Sequence, residues 1–499
     1  MSKNCKNTSH KTILKATGVF GIMQLMKMLI SIVGSKFVAI FLGPIGIGIV
    51  GLLNNTLLVI ASITSFGFNT TSVREIAIAD ESDDGSELNK TIFIIQKVAF
   101  GVGVFGVIVA VVFCTLLSQW TFGTTNYYHW FVFLSLHFLM TSCTASRVAI
   151  LQGKRMLKQI AISNIVSSIG ITIATVCIYY VYKFDGIIPV ILSASAINLG
   201  VNLYYTRSFR AVDVSFTLSQ IIQRSIPVLK LGLLLSINVV FGHLCTFLIK
   251  LYLNNNGATS EILGFYEVST VILISYVGMV FSAMSIDFYP RLTAIHQQNT
   301  SVKELVNNQI EVALLLITPA IALFYLAAPI VIQLLYTKEF LPVILILKAA
   351  LFSIVIKAII WPLGFVILAN GNKRQYFKQE LVGDFLNVSL TILFYNFFGL
   401  VGIGFASVLN FSLYGFYVYY IVRKKYQFGF RKDTLNIVIS SIFVGLMCCS
   451  TVCFVDKCYS ESILLLVLVF SVVYSYWQLD KRIGVIESIK KVCDKFLNR

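Results

Sequence analysis

Charge is what this 499-residue sequence lacks most: only 12% of its residues are Asp, Glu, Lys or Arg, while 57% are hydrophobic. A water-soluble domain needs about a quarter of its residues charged to cover its surface. A chain this poor in charge is solvated by lipid, which excludes a soluble enzyme or binding module. Acidic residues are scarcer still, 22 against 39 Lys and Arg, for a net charge of +17.

Other absences narrow the field. The ten cysteines include no CxxC pair, and Cys114, Cys143, Cys177, Cys245, Cys448, Cys449 and Cys453 all lie in apolar runs. The five histidines are scattered. No disulfide framework, metal cluster or cofactor is expected, and the cysteines read as small apolar packing residues. There is no nucleotide-binding loop and no nucleophilic triad, so an ATP-driven mechanism would need a partner chain. Lys3, Lys6 and Lys11 precede an apolar stretch reaching Phe41, too long for a signal-peptide core and without a small-residue cleavage site, so it is expected to be a first span.

What is present is a succession of long apolar runs. Spans of about 20 residues are expected at 13–41, 46–68, 91–118, 129–151, 159–182, 187–205, 226–253, 261–285, 309–335, 343–369, 380–398, 402–422, 435–455 and 462–479. The fold class is therefore all-α integral membrane, with about fourteen transmembrane helices and no room for a soluble domain in the short gaps. With the N-terminus placed in the cytoplasm, twenty-seven loop lysines and arginines fall on the cytoplasmic side. Only Lys183, Lys338 and Lys457 fall on the other. That bias is the positive-inside signature, and it puts both termini in the cytoplasm. The net positive charge is explained by topology and anionic lipid, with no nucleic acid required. Val214, Leu218, Ile221 and Ile222, and separately Ile483, Ile486, Ile489, Cys493 and Phe496, recur at helical spacing beside basic residues, as in helices lying on a membrane surface.

A faint duplication relates 47–77 to 263–293 and aligns Gly48 with Gly264. Six spans separate the copies, an even number that preserves orientation, so the repeats are parallel. The expected organisation is an N-terminal six-helix lobe over 1–208, an interfacial linker helix over 209–225 and a C-terminal six-helix lobe over 226–425. Two additional spans over 426–479 and a basic amphipathic tail over 480–499 follow. A central cavity between the lobes suits alternating access.

Nine cations lie inside apolar segments: Lys15, Lys27, Lys36, Lys97, Arg147, Lys230, Lys250, Lys348 and Lys357. Only Glu267, Glu311, Glu380 and Asp384 are comparably placed acids. A charge at mid-bilayer costs about 2.5–3.5 kcal/mol even on the mild insertion scale. Lys15, Lys97, Arg147 and Lys230 are near enough to cytoplasmic span ends to snorkel, and Lys36 and Lys250 to the opposite ends. Lys27 and Lys357 are mid-span and must face a partner or a wet cavity; a structural ion bridge to Glu267 or Asp384 is the plainer alternative. Lys27 and Lys36, like Lys348 and Lys357, are nine residues apart, about 180° on an ideal helix. All can face one cavity only if a helix bends, as Trp361–Pro362 would allow. The excess of buried positive charge suits an anionic substrate held by Lys27, Lys357, Lys348, Lys36, Arg147, Lys230 and Lys250. It disfavours a lipophilic cation.

The stretches LGPIGIGIVGLLNN (42–55), GFNTTSVREIA (67–77), LQGKRMLKQIAISN (151–164), GFYEVSTVILISYVGMVFSAMSIDFYPRLTAI (264–295) and WPLGFVILANGNKRQYF (361–377) resemble the O-antigen flippases. These form the polysaccharide-transporter family of the multidrug/oligosaccharidyl-lipid/polysaccharide exporter superfamily. The resemblance covers nearly the whole chain. It implies two six-helix lobes with two extra C-terminal helices, in a bacterial inner membrane. It also implies a flippase that moves an undecaprenyl-pyrophosphate-linked oligosaccharide from the cytoplasmic to the periplasmic leaflet, in surface-polysaccharide synthesis such as that of O-antigen lipopolysaccharide. Its partners would be the lipid-linked anionic oligosaccharide and membrane lipids, with a polysaccharide polymerase and chain-length proteins nearby. Ion coupling in the superfamily points to Glu267 and Asp384, although the first span has no acidic residue. A multidrug extruder and a membrane-embedded glycan polymerase are the competing readings; the short outer loops speak against the polymerase.

Overall fold

In a computed structural model of the chain, residues 2–81, 85–209, 218–257, 259, 261–295 and 298–483 are described. Among them every regular element is a helix. In chain order these are α1 (Ser2–Thr64), α2 (Phe68–Glu81), α3 (Gly85–Val112), α4 (Cys114–Phe122), α5 (Tyr128–Gly153), α6 (Leu157–Tyr182), α7 (Ile187–Tyr205) and α8 (Leu218–Asn256). There follow α9 (Ile262–Thr270), α10 (Gly278–Ile295), α11 (Asn299–Leu335), α12 (Val343–Ala369), α13 (Lys373–Tyr426), α14 (Lys432–Phe454) and α15 (Lys457–Ile483). A π-helical turn, Val271–Tyr276, separates α9 from α10.

Among the described residues, eleven helical stretches are long and apolar enough to cross a membrane. Three of them, Met26–Thr64, Leu157–Tyr205 and Lys373–Tyr426, have length for two crossings each at about 20 residues per crossing. They divide at Gly43, at the tight turn Lys183–Gly186, and at Gly399. Fourteen crossings result, as expected from the hydropathy. The expected span 91–118 is broken at Phe113, between α3 and α4. The expected surface helix near Val214 and Arg224 falls partly on α8, which already begins at Leu218; residues 210–217, and the tail beyond Ile483, lie outside the described residues.

The two helix reversals share a sequence that hydropathy alone did not single out. Gly43-Pro-Ile-Gly-Ile-Gly48 and Gly399-Leu-Val-Gly-Ile-Gly404 both read G-x-x-G-I-G. The first glycine of each has the same backbone, φ 60° and ψ −169° at Gly43, φ 58° and ψ −137° at Gly399. Side-chain-bearing residues are essentially excluded from that region, so one glycine turns each helix. The last glycine of each brings a second helix close: a methyl at Gly48 would lie 2.9 Å from the Gly264 nitrogen, and one at Gly404 would lie 2.4 Å from the Ile346 carbonyl oxygen.

The chain divides into two compact units, Met1–Glu267 with Leu335–Thr337, and Val268–Leu334 with Lys338–Arg499. The core of the first is built on Leu53, Leu57, Phe131, Leu134, Phe138 and Tyr179, with a second cluster around Phe68, Ile76, Ile95 and Ile150. There α1 and α9 meet backbone to backbone, so that Gly48 and Gly264, the glycines aligned in the duplication, touch each other. The second unit is organised on α12, whose Leu347, Val355, Ala358 and Val366 are all buried. α12 is helical without interruption from Val343 to Ala369, through Pro362. At the base of α14, Glu311 accepts from Arg431 Nη2 (2.9 Å) and Thr434 Oγ1 (2.5 Å), placing a buried carboxylate at a helix N-terminus, where the macrodipole favours it.

The α1–α9 contact predicts a sharp asymmetry between two glycines. A methyl at Gly264 would lie 2.0 Å from the Pro44 carbonyl oxygen, whereas one at Gly101 meets nothing within 4 Å. Gly264→Ala is expected to lower the melting temperature and yield of purified protein; Gly101→Ala is expected to leave both unchanged.

Candidate functional site

The intramembrane cations meet three different fates. Lys250, on α8, is 4% exposed, and its Nζ lies 2.7 Å from Glu267 Oε2 on α9 while donating to the Gly51 carbonyl at 3.0 Å. The approach depends on Gly51, where a methyl would fall 2.6 Å from Glu267 Cδ. Lys250 therefore does not snorkel, and the carboxylate expected to bridge to Lys27 or Lys357 is already neutralised within the first unit. The physical reason is proximity: α8 and α9 are consecutive, and both pack on the glycine face of α1. Lys36 is half-buried and donates to the backbone carbonyl of Tyr336.

Lys357 is held differently. It sits on α12, the most enclosed helix, with its ammonium 5.4 Å from the centroid of Phe281 and 5.7 Å from that of Phe411. Cation–π attraction replaces part of the lost hydration. Lys357 makes no ion pair among the described residues. It lines a cavity of about 310 Å³ inside the second unit, together with Trp361, Tyr376, Gln379, Glu380 and Tyr414. Glu380 Oε1 accepts from Tyr414 OH (3.3 Å) and from Gln379 Nε2 (3.4 Å). Gln379 is 1% exposed, and its own Oε1 has no partner. Asp384 follows Glu380 by one turn and shares its helix face.

The remaining candidates are dispersed. Lys27 on α1 and Lys230 on α8 are exposed; Arg147 on α5 and Lys348 on α12 are half-buried. Lys348 is not among the residues lining the cavity that Lys357 lines, and its backbone carbonyl accepts from Tyr325 OH at 2.8 Å. Of the sequence candidates, then, Lys250 comes together with Glu267, while Lys357 shares its cavity with Glu380, a residue visible as an intramembrane acid but not assigned to the site. The signal was the i, i+4 spacing of Glu380 and Asp384, which puts two carboxylates on one helix face. Gln379, Tyr376 and Tyr414 carried no comparable signal.

Residues 13–296 match a family model described as polysaccharide biosynthesis protein. The chain belongs to that family. A comparison with curated proteins finds no match. Among solved structures, this polysaccharide biosynthesis protein is similar to the lipid II flippase MurJ in an inward closed conformation, with a TM-score of 0.62 and 15% identity over 94% of this chain and 99% of the other. It is similar to a multidrug resistance MATE family transporter of the MOP superfamily in an inward-facing conformation, with a TM-score of 0.66 and 14% identity over 82% and 98%. A MOP superfamily transporter from Pyrococcus furiosus aligns with a TM-score of 0.56 and 13% identity over 83% and 96%. At such identities the likeness establishes the fold: the family member is a multi-pass membrane protein with the architecture of these transporters and flippases.

The buried pair gives a test of its own. Removing one partner of a buried ion pair costs about 3–5 kcal/mol, less here in so far as the Glu267 side chain, 21% exposed, still meets water. Lys250→Met should reduce thermal stability strongly, and adding Glu267→Met should restore most of it. A double-mutant cycle of melting temperatures reads the coupling directly; additive losses would mean the two charges do not interact.

Proposed function

We propose that this protein is a flippase that moves an undecaprenyl-pyrophosphate-linked oligosaccharide from the cytoplasmic to the periplasmic leaflet of a bacterial inner membrane, for O-antigen or a related surface polysaccharide. The observation that carries the reading is Lys357: a lysine without an ion-pair partner among the described residues, on the most enclosed helix, lining a cavity with aromatic and hydrogen-bonding walls. A diphosphate supplies the missing counter-charge, and lysine offers it a compact point charge. Lys27, Lys36, Lys348, Arg147 and Lys230 add positive charge along the path, whereas Lys250 is neutralised by Glu267. The family assignment and the transporter fold support the same reading.

Transport follows by alternating access between six-helix lobes over 1–208 and 226–425. The grip on the diphosphate must differ between conformations, because a ligand with equal affinity for both shifts nothing. Of the two carboxylates expected to couple an ion, Glu267 is neutralised, which leaves Asp384 beside Glu380. Lys357 shares its cavity with the carboxylate Glu380, so the case against a multidrug extruder of lipophilic cations rests on the overall excess of intramembrane lysine and arginine over acid.

Two experiments test the proposal. Deleting the gene should leave lipid-linked repeat units assembled but confined to the cytoplasmic leaflet. Lys357→Ala should reproduce that defect at normal protein level, Lys357→Arg should restore part of the activity, and Lys97→Ala should matter little. Single repeat units reaching the cell surface in the deletion strain, with only chain length lost, would establish a polymerase instead. For orientation, reporter fusions after residues 123, 256 and 458 should read as periplasmic and those after 155, 374 and 425 as cytoplasmic; a periplasmic signal between 370 and 379 would overturn the topology.

A further inference from the structure

A second cavity, of about 500 Å³, lies inside the first unit, and no charged side chain lines it. That volume is within the usual range of small-molecule sites, about 300–1,000 Å³. Its walls come from α1, α2, α5 and α8, with Val102 of α3, and are rich in hydroxyl, amide and imidazole groups. The direction of their hydrogen bonds is informative. Ser62 Oγ donates to the Val59 carbonyl (2.8 Å), Thr64 Oγ1 to that of Ile60 (2.9 Å) and Thr141 Oγ1 to that of His137 (2.8 Å). A hydroxyl has one proton, and in each case it is spent on the preceding turn of the same helix. What these groups retain for a ligand is lone pairs.

His137 follows the same logic. Ser195 Oγ gives its proton to the Ile191 carbonyl at 2.9 Å, so in the 2.7 Å contact with His137 Nδ1 the serine accepts. The proton of a neutral His137 ring is thereby fixed on Nδ1, and Nε2 is left an acceptor. The cavity has no Asp, Glu, Lys or Arg in its lining; Ser62, Thr64, Thr141 and His137 Nε2 offer it acceptors, Asn54 and Asn69 add amide groups that both donate and accept, and Leu57, Phe138 and Val239 bound it with apolar surface.

We propose that this cavity is a glycan subsite that takes uncharged sugar rings of the lipid-linked oligosaccharide, separate from the cations that take its diphosphate. The proposal rests on the flippase reading and deepens it. A neutral sugar brings several O–H donors, which match the lone pairs of Ser62, Thr64, Thr141 and His137, and apolar C–H faces, which match the aliphatic and aromatic wall. A hexuronic acid or phosphorylated sugar brings a full negative charge into a cavity with no lysine or arginine in its lining to meet it, and is disfavoured. The cavity therefore selects for neutral sugars at the positions of the repeat unit that enter it.

The test measures binding to the full-length protein in lipid nanodiscs by native mass spectrometry. Three probes are compared: undecaprenyl diphosphate carrying a neutral hexose trisaccharide, the same lipid carrying a trisaccharide with a hexuronic acid, and undecaprenyl diphosphate without sugar. Wild type should favour the neutral glycan probe over the other two. Thr141→Val, which keeps shape and removes the acceptor, should weaken the neutral glycan probe about three- to tenfold, the worth of one hydrogen bond, and leave the sugar-free lipid unchanged. Thr141→Ser should bind as wild type does. Ser62→Ala, on a different helix, should repeat the effect and keeps the test decisive if Thr141→Val does not fold. Equal losses for glycan and sugar-free probes, or no loss in either variant, would each overturn the subsite. Wild type that binds none of the three lipids would instead remove the flippase reading itself.

Discussion

A charged side chain in hydrocarbon must find a partner or water, and the arrangement of this protein follows from how its intramembrane lysines do so. Lys250 takes a carboxylate, Glu267, and a backbone carbonyl, that of Gly51. Lys36 takes the carbonyl of Tyr336. Lys357 takes two aromatic faces and a cavity. The first two contacts tie helices together, and only that of Lys250 neutralises its charge. Lys357 makes no ion pair among the described residues, and on the proposed reading a bound anion supplies its counter-charge.

The glycine motif that makes this possible acts twice. At Gly43 and Gly399 it turns a helix on one residue, and at Gly48 and Gly404 it admits a neighbouring backbone. In the first unit that close approach puts Gly51 against Glu267, so the corner that reverses α1 also sets the distance of the buried ion pair. Packing and electrostatics are therefore not separate contributions here: a methyl group on the face of α1 would displace the carboxylate that neutralises Lys250.

The crossings were legible in the sequence because lipid imposes a length and a hydropathy on each of them, and the short gaps at 41–46 and 398–402 already marked the corners. Of the two lysines that read as mid-span, Lys357 lies on the enclosed helix α12, whereas Lys27 is exposed on α1. Partners were not legible. Lys250 and Glu267 meet only because two consecutive helices share a glycine face of α1, a tertiary fact with no local signature. Pro362 reads as a break in the sequence, yet the helix continues through it to Ala369. Asp384 was read as the deep carboxylate, while Glu380, one turn away, is the one that lines the Lys357 cavity. The hydroxyl-walled cavity of the first unit was invisible for a simpler reason: serine and threonine are ordinary in membrane helices, and nothing in sequence says that Ser62, Thr64 and Thr141 line one space.

On the proposed reading Lys357 holds an anionic substrate, and translocation of such a substrate can be observed directly. Purified full-length protein would be reconstituted in proteoliposomes loaded on one leaflet with a fluorescent undecaprenyl-diphosphate oligosaccharide, with a lipophilic cationic dye as the comparison cargo. Movement of the diphosphate-linked glycan to the other leaflet, lost in Lys357→Ala and absent for the dye, is the result expected. Transport of the cationic dye with no movement of the glycan would contradict it.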